Sequence, residues 1–142
     1  MRLITGCNGQ LGRELVARLP DAIAVDRDAL DITDAVAVRD FVRENNIDVI
    51  INCAAYTAVD AAEDDVELAT KINVDGVRNL AQTGAKIIHI STDYVFDGMG
   101  HVPYAPDDET NPISVYGRTK RAGELAALEN APVAGVIRTA WL

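Results

Sequence analysis

Gly6, Gly9 and Gly12 stand three residues apart directly after the apolar run Leu3, Ile4, Thr5. An apolar period then resumes at once through Leu15, Val16 and Leu19. This succession of strand, glycine turn and helix restricts the possible fold more than any other stretch of the chain. A dinucleotide needs such an arrangement because its pyrophosphate must approach the backbone closely, where a Cβ would stand in the way. The helix start also offers unpaired N–H groups and the positive end of a dipole. The spacing is G-x-x-G-x-x-G rather than G-x-G-x-x-G, and a glycine triplet alone also punctuates ordinary turns. Its place after the first strand, where a mononucleotide-binding half begins, favours the dinucleotide reading.

Downstream, strand and helix patterns alternate. Ala22 to Val25 reads as a second strand ending at Asp26, about 20 residues after the glycine loop opens, where an acidic residue holds a ribose 2′-hydroxyl. Asp26, Asp28 and Asp31 equally suit loop starts and helix caps. Arg27 could meet a 2′-phosphate, so the choice between NAD and NADP stays open. Thr33 or Asp34 caps a helix with apolar positions Val36, Val38, Phe41 and Val42. Asp48 to Asn52 is a third strand of the kind buried on both faces, followed by the small residues Cys53, Ala54 and Ala55. Cys53 reads as a packing residue. A long helix is expected from Ala61 to Gln82, its acidic start at Glu63, Asp64, Asp65 and Glu67 read as a solvated face. Lys86 to Ile90 is a fourth strand and Val133 to Ile137 a fifth. His89 reads as a strand histidine with a satisfied hydrogen bond. The pattern predicts an α/β, Rossmann-type doubly wound parallel sheet, strand order 3-2-1-4-5, with right-handed crossovers.

The 142 residues suffice for one domain, residues 1–142, with a sizeable core. The net charge of −9 and the lack of a basic cluster disfavour a phosphate-backbone partner, so no nucleic acid is expected. No apolar run approaches a membrane span, and no membrane partner is expected. Cys7 and Cys53 have no metal-ligand or redox spacing, which with the absence of a signal-peptide layout predicts a reduced, cytoplasmic setting.

The chemistry-bearing residues begin where the fourth strand ends. Ser91, Thr92 and Asp93 put two hydroxyls and a carboxylate at the carboxyl edge of a parallel sheet, where ligands bind in open α/β folds. After a loop from Asp97 to Pro112 come Tyr116 and Lys120, four apart and so on one face of a helix. A tyrosine and lysine at that spacing are common by chance. The glycine loop, the Ser-Thr pair and a Tyr-x-x-x-Lys 24 residues after Thr92 are not common together.

With these residues the chain resembles the extended short-chain dehydrogenase/reductase superfamily. More narrowly, TGCNGQLGREL, INCAAYTAVDAAE, HISTDYVFDG, NPISVYGRTKRAGE and VIRTAWL resemble the dTDP-4-dehydrorhamnose reductase family almost from end to end. That family reduces a 4-keto sugar nucleotide to dTDP-L-rhamnose with NADPH or NADH. The resemblance implies Tyr116 as general acid to the C4 oxygen, with Lys120 as the cation that favours the phenolate and as a ligand of the nicotinamide ribose. It implies Thr92 on the carbonyl oxygen, Asp93 and Tyr94 beside the sugar, and Trp141 against the nucleotide-sugar. Asn73 matches a helix asparagine that helps keep a relay water beside the lysine; its alternative is a buried amide satisfied locally.

For the cofactor the resemblance implies Gly6, Gly9, Gln10, Leu11 and Gly12 under the pyrophosphate. Asp26, Arg27, Asp31 and Ile32 fall around the adenosine, and Ala54, Ala55, Tyr56 and Thr57 along the nicotinamide half, with Tyr116 and Lys120. Glu14 matches a position implicated in magnesium-linked contacts of a homodimer. The family also carries a C-terminal substrate domain, most of which these 142 residues lack. Two other readings are a noncatalytic dinucleotide-binding subunit, as in the methionine adenosyltransferase β-subunit, and an epimerase or dehydratase of a nucleotide sugar.

Overall fold

The computed structural model describes residues 1–140. Five parallel strands form one sheet: β1 (Arg2–Thr5), β2 (Ile23–Val25), β3 (Val49–Asn52), β4 (Lys86–Thr92) and β5 (Ala134–Thr139). Their spatial order is β2-β1-β3-β4-β5, which corrects the expected 3-2-1-4-5. β3 pairs with β1 on the side away from β2. The reason lies in the strands themselves. β2 has three residues with Ala24 exposed, which suits an edge, whereas β3 is buried from Ile50 to Asn52 and needs a neighbour on each side. The chain therefore reverses its direction across the sheet between β1 and β3, and a crevice opens at their carboxyl ends.

Helix α1 (Gln10–Arg18) makes the leftward crossover. The rightward ones use α2 (Ala35–Glu44), the segments between β3 and β4, and α6 (Val115–Asn130). With right-handed connections α1 takes one face and the others the opposite face, so the sheet is doubly wound as expected. The main core lies on that second face, where Leu3, Ile50 and Ile87 form one cross-strand row against Val38, Val42, Val77, Leu80 and Ala127. Asp34 caps α2, accepting from the N–H groups of Val36 and Ala37 at 3.0 Å each.

The single helix expected from Ala61 to Gln82 is broken. It consists of α3 (Val59–Ala62), a turn, α4 (Val66–Thr70), a π-helical turn Lys71–Gly76 and α5 (Val77–Ala81). The acidic residues at the break are not simply solvated. Asp65 accepts from Leu68 N at 3.4 Å and restarts the helix, and Glu63 accepts from Val115 N at 2.8 Å, satisfying an orphan donor at the start of α6. No described helix is long and apolar enough to cross a membrane.

Candidate functional site

The glycine loop forms the floor of the crevice. Gly6 has φ +66°, and a Cβ there would stand 2.7 Å from Ala54 N, so the turn presses directly on the chain leaving β3. A Cβ on Gly12 would fall 2.2 Å from the Gly6 carbonyl, which closes the turn onto α1. Gly9 is the N-cap of α1 and supplies no side-chain cap. The first turn of α1 therefore keeps N–H groups and its positive dipole end available to an anion, beside a cleft lined by Gln10, Leu11 and Gly12.

Two clefts meet over this floor. One, of about 370 Å³, is lined by Asp26, Arg27, Asp31, Ile32 and Ala54. The other, of about 650 Å³, reaches Thr92, Asp93, Tyr94, Tyr116 and Lys120. Gly6, Gly9, Cys53, Ala55 and Thr57 line both, so the two are halves of one trough across the carboxyl ends of β1, β3 and β4. Leu30, Thr33 and Lys71 also line the first half, and Val59 and Thr139 the second, where Ser91 stands as its place at the end of the fourth strand predicts. Sequence reasoning did not single out the other five for binding. Lys71 shares one helical face with Leu68 and Ile72, which line the same half, but a lysine on a helix carries no signal of its own for a ligand.

Asp26 is engaged within the loop, accepting from Asn8 N at 3.1 Å and from its neighbour Arg27 N at 2.8 Å. It thereby ties the end of β2 to the glycine turn. The Asp31 carboxyl is held below the usual carboxylate range by the Thr33 backbone N–H and then the Thr33 hydroxyl, with smaller help from the charges of Arg27 and Lys71. This half of the trough thus carries two carboxylates and two cations.

In the other half, β4 runs two residues further than the expected strand and brings Ser91 and Thr92 to its end. Ser114 caps α6 by accepting from Gly117 N at 3.0 Å, which starts the helix just before Tyr116 and sets Tyr116 and Lys120 on the cleft wall. Burial raises the Tyr116 phenol above its ordinary 10, opposed by a hydrogen bond with Thr92, so the side chain is protonated near neutrality. Tyr94 packs edge-on against its ring at 5.6 Å. Lys120 is 3% exposed and donates to the Ile90 carbonyl at 2.7 Å. Burial pulls the ammonium down to about 8, against the raising charge of Glu124. Burial also pushes the Cys53 thiol up to about 11.

A buried polar row underlies the site. Thr5, Asn52 and His89 are register partners on β1, β3 and β4, two residues nearer the carboxyl edge than the apolar row of the core. Ala54 N can only donate, so the Asn52 oxygen faces it at 3.2 Å and also accepts from Thr5 Oγ1 at 2.6 Å. Asn52 Nδ2 then points at His89 Nδ1, 3.0 Å away, which makes Nδ1 an acceptor and places the proton on Nε2. Among the described residues Nε2 has no hydrogen-bond partner, so the expected satisfaction of His89 is met at one nitrogen only.

Asn73 lies behind the trough, on the π-helical turn. Its oxygen accepts from Tyr56 N at 2.8 Å, and its nitrogen donates to Tyr56 O at 3.2 Å and Thr119 Oγ1 at 3.1 Å. The side chain clamps the segment after β3 to α6, and it is Tyr56's backbone that is held. Neither residue lines either cleft. Glu14 is exposed on α1 and paired with Arg18, apart from both clefts. Among the described residues no cluster of three His, Cys, Asp or Glu side chains could hold a metal ion. Trp141 lies outside the described residues.

A family model described as the RmlD substrate binding domain matches residues 1–142. A dTDP-4-dehydrorhamnose reductase of Streptomyces griseus is 50% identical, over 99% of this chain and 49% of its own. Among solved structures, a dTDP-4-dehydrorhamnose reductase from Clostridium acetobutylicum is 48% identical with a TM-score of 0.96, covering 99% of this chain and 54% of that one. Another from Bacillus anthracis, in complex with NADP, is 42% identical with a TM-score of 0.94, over 99% of this chain and 53% of that one. The chain thus spans about half the length of the relatives it matches. Matched from its first residue to its last, it belongs to the RmlD substrate binding domain family, that of the dTDP-4-dehydrorhamnose reductases.

Proposed function

We propose that residues 1–142 form the NAD(P)H-binding half of a reductase acting on the C4 keto group of dTDP-4-dehydro-L-rhamnose, with dTDP-L-rhamnose as product. The observation that carries this reading is the single trough that runs from the uncapped glycine turn to Thr92, Tyr116 and Lys120. Its chemistry fits a dinucleotide. Backbone N–H groups at Gln10 and Leu11 suit the pyrophosphate, Asp26, Arg27, Asp31 and Ile32 surround the place for an adenosine, and Ala54, Ala55 and Thr57 leave room along the other half. The NADP complex of the Bacillus anthracis relative supports the same assignment.

When bound, a reduced nicotinamide supplies the hydride that the sugar's C4 receives. The protein's own part is to hold the carbonyl and to provide a proton. Thr92 Oγ1, which accepts from Tyr94 N and donates to Asp93 Oδ1 at 3.2 Å each, is fixed at the end of β4, and turning its one proton from Asp93 to a bound carbonyl oxygen lets it hold that group. Tyr116, kept protonated by burial, gives its phenolic proton to that oxygen as negative charge develops. Lys120 keeps a positive charge beneath the site and presents N–H donors to the cofactor's ribose. Asp93 and Tyr94 border the sugar's side of the trough. Asn73 serves as the buried amide of the two roles considered, because its side-chain groups are already engaged by Tyr56 and Thr119.

The test is titration of the chain with NADPH and NADH, followed by nicotinamide fluorescence, then addition of dTDP-4-dehydrorhamnose to the reductase that contains this sequence. Binding, with turnover reduced about 10²- to 10⁴-fold by Tyr116→Phe, supports the proposal. Failure to bind either cofactor refutes the trough as a dinucleotide site. Turnover indifferent to Tyr116→Phe refutes the role of the phenol.

A further inference from the structure

The helix that presents Tyr116 and Lys120 also carries a fully buried carboxylate one turn further on. Glu124 is 0% exposed, a place where a charge persists only when paired and hydrogen-bonded. Arg138 on β5 grips it with a fork, Nε to Oε1 and Nη2 to Oε2, both at 2.8 Å. Arg121 Nη1 donates to Oε2, also at 2.8 Å. Each arginine holds a second element. Arg138 Nη1 donates to the Pro106 carbonyl at 3.1 Å, and its guanidinium lies 5.1 Å over the Phe96 ring. Arg121 Nε donates to Thr110 Oγ1 at 3.0 Å. Pro106 and Thr110 belong to the segment 97–112 that leaves the Thr92 end of β4 and returns to α6. On the sheet side, Ser91 and Thr92 pair in register with Arg138 and Thr139. One carboxylate therefore ties together α6, the strand beside Thr92 and the 97–112 segment, without lining either cleft itself.

We propose that Glu124 is a positioning residue of the reductase site, the shared anion that holds α6 and the 97–112 segment in place and keeps the Lys120 ammonium against the Ile90 carbonyl. The inference rests on the assignment of Tyr116 and Lys120 under Proposed function. A role through charge, beyond packing, has a signature in titration. The groups facing Lys120 are Cys53 at the end of β3, His89 on β4, and Tyr116 and Glu124 on its own helix. Burial puts the Cys53 thiol at about 11, His89 at about 3 and Tyr116 above 10, and hydrogen bonds from Arg138 and Arg121 outweigh burial to hold Glu124 low. Between pH 7 and pH 10 the group of this cluster that changes charge is Lys120, at about 8. Its positive charge is lost as pH rises through that value. Removing the Glu124 charge moves the loss to lower pH.

The experiment is an NMR titration of the chain carrying ¹³Cε-labelled lysine, where Lys71, Lys86 and Lys120 give the signals, alongside NADPH affinity across the same pH range. Glu124→Gln is expected to lower the Lys120 midpoint by about one pH unit and to weaken NADPH roughly tenfold near pH 8, while Glu124→Asp returns both toward the parent. Should Glu124→Gln fail to fold, Glu124→Gln with Arg138→Met removes anion and cation together and is expected to show a smaller displacement in the same direction, because the lost cation partly offsets the lost anion. A folded variant with an unchanged Lys120 midpoint overturns the inference, whatever its melting temperature. A midpoint displaced by Glu124→Gln, together with a parent chain that binds no NADPH, supports the tie between Glu124 and Lys120 and counts instead against the cofactor assignment.

Discussion

Acidification is expected to unfold this protein through His89 before its carboxylates titrate. The ring is 0% exposed, its Nδ1 faces an Asn52 donor, and its Nε2 has no hydrogen-bond partner among the described residues, so an added proton would meet neither acceptor nor solvent. Burial first, and then the Lys120 charge, pull the imidazole from 6.5 down to about 3. The unfolded chain takes up this proton near 6.5 and the folded chain resists it. Stability is therefore unaffected above that pH and falls by about 1.4 kcal/mol per unit below it. Between pH 6.5 and pH 4.5 the loss is about 3 kcal/mol, and its ceiling near pH 3 is about 5 kcal/mol, a large share of the total for a domain. Asp31, Asp48, Asp97 and Glu124 are held below their usual range, so what they contribute is lost only as pH falls below about 4. The assay is urea unfolding by circular dichroism at half-unit steps from pH 7 to pH 4.5, on the parent and on His89→Gln, whose amide oxygen can still accept from Asn52. The parent should show the slope and the variant should lose it. Equal slopes in the two would refute the argument, because the acid sensitivity would then come from some other group.

Asn73→Ala should cost about 3 kcal/mol, since it leaves the Tyr56 N–H and C=O and the Thr119 hydroxyl short of partners, and thermal melting should register roughly a 10 °C fall. A melting temperature within about 2 °C of the parent would show that the clamp contributes little. Gly12→Ala should destabilise by about 3 kcal/mol and abolish cofactor binding, because its methyl would press on the Gly6 carbonyl; unchanged NADH affinity in the variant would contradict this. Lys71→Met should weaken NADPH more than NADH, by roughly tenfold in the ratio of dissociation constants, because Lys71 and Arg27 are cations lining the Asp31 half of the trough. Equal losses for both cofactors would remove Lys71 from any contact with a 2′-phosphate.

Local signals in the chain carried far. The glycine turn, the apolar runs that became β3 and β4, and the Tyr116–Lys120 spacing all follow from short-range pattern, and each lies where that pattern puts it. Strand order does not follow from it, because β3 can add beside either β1 or β2. The deciding fact, that β2 is short and exposed at Ala24, concerns its neighbours in space. The break at Glu63 to Asp65 was hidden because acidic residues suit a helix start as well as its surface. Among the described residues it is Val115 N, 52 positions away, that gives Glu63 its partner. Glu124 went unnoticed for a similar reason: on a helix surface a glutamate is solvated, and its burial depends on two arginines from different elements.

The shared floor of Gly6, Gly9, Cys53, Ala55 and Thr57 makes the trough bidentate toward any ligand long enough to lie across it. For such a ligand, docking one end raises the local concentration of the other to the millimolar range, so joining two weak fragments multiplies their affinities. Adenosine monophosphate and nicotinamide mononucleotide, offered separately, would each hold one half loosely, while their covalent union would gain a chelate advantage. Under the proposed function, discrimination would then sit at one end of the molecule and reaction at the other, and substitutions around Asp31 would retune the preference between cofactors without touching Tyr116.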